Sequence, residues 1–128
     1  MKLLIDTHLL LWAAADILPR KAIPYFVNKE NELLFSPASI WEIIIKKGLG
    51  RPDFRVDPAV LYKGLCDNGY TELAITNQHV LLIAELPPLH KDPFDRILIA
   101  QAKAEGAALL SSDKSVSRYS PVIYIRSR

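Results

Sequence analysis

The chain has 128 residues, half of them hydrophobic, with a formal net charge of +2 and a single cysteine. That suffices for one domain with its own core, spanning residues 1–128. It excludes an internal disulfide, suits a reducing compartment, and leaves the charge far below that of a histone or a basic arm.

The pattern along the chain alternates strands and helices. LLI (residues 3–5) predicts a buried strand and residues 7–15 a helix. PRKAIPYFVNKEN (19–31) predicts a second, amphipathic helix, and ELLFS (32–36) a second strand. SPASIWEIIIKKG carries helix punctuation: Ser36 as N-cap, Pro37 at the first position, Gly48 just past the end. After a loop over 50–57, Asp57 and Pro58 open a helix to residue 67, in which Cys66 reads as a small packed hydrophobe. YTELAIT (70–76) predicts a weak strand. Residues 77–86 predict a helix stopped by Pro87 and Pro88. DPFDRILIAQAKAEG predicts a helix capped by Asp92 and ended by Gly106. AALLS and VIYI complete the strands, with a short helical stretch from Asp113 between them, and YIRSR closes the chain as a strand and a basic tail. The strands are uniformly apolar rather than alternating. That predicts a parallel sheet covered on both faces, a three-layer α/β/α sandwich. No run approaches the ~20 apolar residues of a membrane span. Asp6 and His8 interrupt the one N-terminal stretch that loosely resembles a signal peptide. The expectation is a soluble cytoplasmic protein with no membrane partner.

Ligands of open α/β sheets bind beyond the carboxyl ends of the strands. The polar residues predicted there are acids: Asp6 after LLI, Asp113 after ALLSS, Asp95 at the start of its helix, and Glu42 one turn into the helix after ELLF. Each has a structural alternative. Asp6 and Asp113 suit N-caps, Asp95 a capping-box partner of Asp92, and Glu42 an i, i+4 pair with Lys46. As a set they point further. Glu42 lies among Ile40, Trp41, Ile43, Ile44 and Ile45, so its carboxylate is expected to be partly buried and to need a partner. Four acids gathered at one edge repel each other, which raises their pKa values until a cation neutralises them. Oxygen donors suit Mg2+ or Mn2+. His8, His79 and His90 show no zinc spacing and read as surface or supporting groups. The chemistry expected of such a site is metal-assisted hydrolysis at phosphorus.

The stretches LLIDTHLLLW, SPASIWEIIIKK, HKDPFDRILIAQA and LLSSDKSV resemble, in order, the four acidic motifs of PIN-domain ribonucleases. The likeness is greatest to the VapC-type toxins of toxin–antitoxin operons. The resemblance implies that Asp6, Glu42 and Asp95 are the central metal-binding acids and Asp113 the fourth. It matches Thr7 and Ser111 to hydroxyls that support the site, with Ser39 a weaker match. It implies cleavage of single-stranded or loop RNA leaving a 3′-hydroxyl, a homodimer, and silencing by an antitoxin lying in a groove near the active site. Many relatives carry a further acid just after the fourth; here Ser115, Val116 and Ser117 follow, which predicts one strong metal site.

Lys46, Lys47, Arg51, Arg55, Lys91, Arg96, Lys114 and Arg118 are candidates to hold phosphates around the acids; the alternative is an ordinary solvated surface. Arg96, beside Asp95, is the foremost, with Lys46 and Lys114 next. Trp12 and Trp41 read as core or interface, and Leu9, Leu10, Leu11 and Trp12 as contributors to an antitoxin groove. A haloacid-dehalogenase-type phosphatase is disfavoured because its second aspartate position is His8, and a receiver domain because Asp6 has no acidic neighbour. A DNA nuclease and a non-catalytic RNA-binding or assembly module remain as alternatives.

Overall fold

Leu3, Leu4 and Ile5 alternate between the two faces of their strand, yet all three are fully buried. Only a sheet covered on both sides accommodates that. The computed structural model describes residues 1–126, so Ser127 and Arg128 of the predicted basic tail lie outside the described residues. The strands are β1 (Lys2–Ile5), β2 (Glu32–Phe35), β3 (Thr71–Glu72), β4 (Ala108–Ser111) and β5 (Val122–Tyr124). They form one all-parallel sheet in the order β3-β2-β1-β4-β5.

The helices are α1 (Thr7–Ala14), α2 (Ile23–Val27), α3 (Pro37–Gly48), α4 (Pro58–Asp67), α5 (Asn77–Ile83) and α6 (Pro93–Glu105). On one face Leu3 and Ile5 pack with Leu9, Leu10, Ile43, Leu61 and Leu65. On the other Leu4 and Leu34 pack with Leu98, Ile99 and Ala102 of α6, while Leu82 and Ile83 of α5 cover the edge. The result is the three-layer α/β/α architecture read from the sequence.

Side-chain caps set the helix starts. Asp6, Ser36, Asp57, Thr76 and Asp92 each accept backbone N–H groups at the head of α1, α3, α4, α5 and α6. Gly106 ends α6 in the left-handed conformation, φ 65°, which costs glycine nothing.

Several boundaries differ from expectation. The helix predicted over 19–31 shrinks to α2. Pro24 sits in the first turn of α2, where its missing N–H and its ring bar the helix from starting further upstream, and Asn28 turns extended with ψ 111°. The strand predicted over 70–76 pairs only at Thr71–Glu72, on the sheet edge. The helix expected to reach Leu86 ends at Ile83. Gly48 is the last residue of α3 rather than the residue beyond it. Cys66 faces solvent rather than the core.

From β1 the chain moves to β2 and β3 on one side, then returns to place β4 and β5 on the other. The order therefore reverses between β1 and β4. In open α/β sheets the crevice beyond the strand ends at such a reversal is where ligands bind. Asp6 follows β1 there, and Ser111 ends β4 beside it.

Candidate active site

Asp6 is buried and caps α1. Its Oδ1 accepts the Leu9 N–H at 2.9 Å, and its Oδ2 accepts the Ser111 hydroxyl at 2.5 Å and the Ser112 N–H at 3.1 Å. With two lone pairs per oxygen, Oδ2 is saturated and Oδ1 keeps one free. Burial pushes the Asp6 carboxyl above its usual range, against the lowering by these donors and by His8.

Thr7 links β1 to α3. Its hydroxyl lies 2.6 Å from Glu42 Oε1 and 2.9 Å from Ser39 Oγ. A threonine has one proton to give, and the carboxylate takes it, so Ser39 donates to Thr7. Glu42 is buried, and its other oxygen pairs with Lys46 one turn on. The Lys46 ammonium also lies 5.1 Å from the centre of the Phe54 ring. The loop carrying Phe54 is tied to α1 by His8, 2.9 Å from Asp53.

Asp92 caps α6, accepting the N–H groups of Phe94 at 2.8 Å and Asp95 at 3.2 Å. That leaves the Asp95 side chain free to turn toward His90, whose Nε2 is 2.7 Å from Asp95 Oδ2. Asp113 heads the 3-10 turn Lys114–Val116; its Oδ1 accepts the Ser115 N–H at 2.8 Å and hydroxyl at 2.6 Å. The Asp113 N–H donates to Ser111 Oγ at 3.0 Å, completing a chain of contacts back to Asp6. His90, Asp95 and Asp113 each bring a ligand atom within 4.8 Å of the others. Among the described residues, Asp95 Oδ1 and Asp113 Oδ2 accept no hydrogen bond.

Residues 3–120 match the family profile described as PIN domain. The chain belongs to the PIN domain family. No curated protein matches it. Among solved structures, VapBC2 of Rickettsia felis bound to a promoter DNA fragment is 15% identical, with 98% of both chains covered and a TM-score of 0.72. DNA-bound VapBC of Salmonella typhimurium is 14% identical, covering 98% of this chain and 97% of that one, with a TM-score of 0.69. VapBC-1 of nontypeable Haemophilus influenzae is 16% identical, covering 99% and 98%, with a TM-score of 0.66.

In this PIN domain Asp95 and Asp113 share a close cluster with His90, Ser111 links Asp113 to Asp6, and Glu42, held by Thr7, is near enough to act on the Asp95 charge. Lys46 sits on Glu42, the i, i+4 pair that the spacing offered, and His90 sits on Asp95. One expectation needs correction: mutual repulsion is not the leading cause of the raised pKa values of Asp6 and Asp95; burial is. The Asp95 carboxyl is pushed up to about 6 chiefly by burial; His90 opposes the rise, and Asp92, Asp113 and Glu42 add to it. The donor chemistry fits a hard divalent cation: carboxylate oxygens with open lone pairs, those of Asp6 and Asp95 in surroundings that penalise their charge.

The cationic candidates divide. Arg96, expected to meet a carboxylate or phosphate, instead donates to backbone. Its Nη1 reaches the carbonyls of His90 at 3.1 Å and Pro87 at 3.4 Å and the Tyr119 hydroxyl at 3.3 Å; its Nη2 reaches the Ile83 carbonyl at 3.1 Å. Tyr119 donates to Pro87 O at 2.7 Å and accepts from the N–H groups of Leu89 and His90. The pair knots residues 83–90 onto the start of α6. Lys46 is engaged by Glu42. Lys47, Arg51, Arg55, Lys91, Lys114 and Arg118 are exposed. Arg96→Lys is expected to lower stability by about 1–3 kcal/mol in urea unfolding, because an ammonium cannot serve carbonyls spread across a planar fork. A phosphate-binding arginine would lose RNA affinity with little change in stability.

The histidines need correction too. His79 is fully buried, completes the cap of α5 and lies 2.8 Å from Glu105; His90 belongs to the acidic cluster. Trp41 is exposed with its ring edge-on to Phe94, while Trp12 packs half-buried against the core. Leu9, Leu10 and Leu11 are buried in that core rather than in an open groove.

Asp95 also sets a pH dependence. Its carboxyl, pushed up to about 6 in the folded state, lies above the usual carboxylate value, so the folded state holds the proton more tightly. The stability it contributes is full below about pH 4 and is lost as pH rises through about 6. Urea midpoints of metal-free protein should therefore fall from about pH 4 to about 7, and Asp95→Asn should remove most of that slope. An equal slope in the variant would assign it elsewhere.

Proposed function

We propose that this PIN domain, one nuclease domain over residues 1–128, is a Mg2+- or Mn2+-dependent endoribonuclease and the toxin of a toxin–antitoxin pair. The observation that carries the reading is the cluster of Asp95, Asp113 and His90, with open lone pairs on Asp95 and Asp113, linked through Ser111 to Asp6 at the sheet's reversal point and close enough to Glu42 for the charges to interact. Asp95 and Asp113 hold the ion, Asp6 contributes the free lone pair of Oδ1, and Glu42 is held in line by Thr7 and Lys46. A bound ion supplies Lewis acidity to the phosphate and a more acidic water. One carboxylate of the set orients the attacking water and takes its proton. Water oxygen bonds to phosphorus, the bond to the 3′-oxygen breaks, and that oxygen leaves as a 3′-hydroxyl. Exposed Lys114 and its basic neighbours draw in the phosphate backbone.

The toxin role is supported by the resemblance to VapBC structures across nearly the whole chain. An open, mostly apolar groove of about 730 Å³, lined by residues including Leu18, Phe26, Leu33, Val60 and Tyr70, supports an antitoxin segment as partner. The exposed Trp41 and Ile44 support a further protein contact, such as a homodimer. A cytoplasmic location fits these partners, and among the described residues no helix is long and apolar enough to cross a membrane.

The test offers purified protein a single-stranded RNA, the DNA of the same sequence and a small phosphate monoester, each with Mn2+. Cleavage of RNA alone is the expected result. DNA cleavage or monoester hydrolysis at comparable rates would replace it with the corresponding activity. Induced expression without an antitoxin should arrest growth, and normal growth with abundant folded protein would remove the toxin role.

A further inference from the structure

The side chain of His90 is left without a role by the four-acid reading. Its ring nitrogen Nε2 faces Asp95 Oδ2 at 2.7 Å and Ser115 Oγ at 3.4 Å, and shares the 4.8 Å span with Asp113. Around one octahedral ion with metal–oxygen distances of about 2.1 Å, neighbouring donors lie about 3 Å apart and opposite ones about 4 Å apart. His90 Nε2 and Asp95 Oδ2, 2.7 Å apart, are spaced as neighbouring donors, and Asp113 brings a ligand atom within 4.8 Å of the other two residues'. The backbone that delivers the imidazole is fixed as well: the His90 N–H donates to Tyr119 Oη at 3.0 Å, and its carbonyl accepts from Arg96 at 3.1 Å. The knot of Arg96 and Tyr119 thus explains why a loop residue holds station beside the acids.

We propose that His90 ligates the divalent ion through Nε2, making this a mixed nitrogen–oxygen site that favours Mn2+ over Mg2+. The proposal rests on the divalent-cation reading of the same site. Imidazole suits borderline transition metals, whereas Mg2+ is satisfied by oxygen and water. A ring nitrogen in place of one oxygen therefore strengthens Mn2+ binding more than Mg2+ binding. The absence of an acid shortly after Asp113 fits the same picture: Ser115 there donates its N–H and hydroxyl to Asp113 and lies 3.4 Å from His90 Nε2, and the imidazole fills the coordination sphere from the opposite loop.

The probe is Mn2+ alone, added to the purified full chain and followed by pulsed electron paramagnetic resonance. A nitrogen hyperfine coupling on bound Mn2+ is expected, changing its pattern when the histidines are 15N-labelled. His90→Gln should lose the coupling, keep measurable Mn2+ binding through the carboxylates, and lower the Mn2+ to Mg2+ affinity ratio by about tenfold. Affinity alone does not decide, because losing a group that merely braces Asp95 also weakens binding by about ten- to a hundredfold. Bound Mn2+ without nitrogen coupling in the unaltered chain overturns the proposal and leaves the metal site standing. Coupling that survives in His90→Gln also overturns it. No Mn2+ binding, or equal binding by Asp95→Asn, overturns the cation reading and the proposal together. If His90→Gln does not fold, coupling retained in His8→Asn supports His90, since His79 is fully buried and bonded to Glu105; coupling lost there assigns the nitrogen to His8.

Discussion

Asp95→Asn and Asp6→Asn are both expected to abolish RNA cleavage, and to move stability in opposite directions. Each removes a carboxylate proposed to hold the ion. Groups that only support metal ligands cost about ten- to a hundredfold when lost, so a ligand should cost at least about a hundredfold. The stability signs follow from the hydrogen bonds. Asp95 keeps an oxygen free of hydrogen bonds, and its carboxyl is pushed up to about 6 mainly by burial. Above neutral pH its ionised form therefore weighs on the metal-free fold, and a neutral amide relieves it by about 2 kcal/mol, less whatever the His90 contact contributes. Asp6 is different. Its two oxygens accept from Leu9, Ser111 and Ser112, and an amide has only one oxygen to offer them. Its NH2 must face an N–H or O–H donor, leaving a buried group unsatisfied at a cost of about 1–3 kcal/mol. Cleavage rates and urea unfolding at pH 8 without metal check both claims. A cleavage rate near the parental value in either variant removes the site assignment.

Lys46→Met is expected to destabilise metal-free protein by about 3 kcal/mol, the largest stability effect foreseen for a single cation. The Glu42 side chain is only 6% exposed and that of Lys46 19%. Removing one partner of a pair this buried strands the other charge. The Thr7 hydroxyl at 2.6 Å satisfies one Glu42 oxygen but does not neutralise it. Adding Glu42→Gln to Lys46→Met should recover a large part of the loss, because the stranded charge is gone. A saturating divalent cation should recover part of it as well, if Glu42 faces the ion. Lys46 acting instead as a free phosphate ligand predicts the reverse: unchanged unfolding, weaker RNA binding and a shallower salt dependence.

The parts of the fold legible in the sequence are those with local punctuation. Ser36 with Pro37, Asp57 with Pro58, and Asp92 with Pro93 start α3, α4 and α6 where they were read, because cap and proline act within one turn. The apolar strands β1, β2 and β4 were legible because both their faces are buried. Edge elements were not: β3 has two paired residues and α2 has five, so burial and pairing hardly constrain their composition. In the site, Asp6 and Asp113 were visible as acids just after strands, and Glu42 and Asp95 as acids in the first turns of helices. Arg96 was misjudged because adjacency to Asp95 in sequence says nothing of direction on a helix; its fork points back to the 83–90 segment. His90 was passed over because its approach to Asp95 depends on Tyr119, 29 residues away, holding the loop. The motif HKDPFDR held the only local signal, a histidine five residues before the acid.

The most direct measurement incubates purified, antitoxin-free protein with total RNA, with and without Mg2+ or Mn2+, beside Asp95→Asn, and sequences the ends of the products. Discrete cuts that need the metal, carry 3′-hydroxyl ends and vanish in the variant are the predicted result. Intact RNA from a folded, metal-binding protein, or cuts that persist in Asp95→Asn, would contradict it.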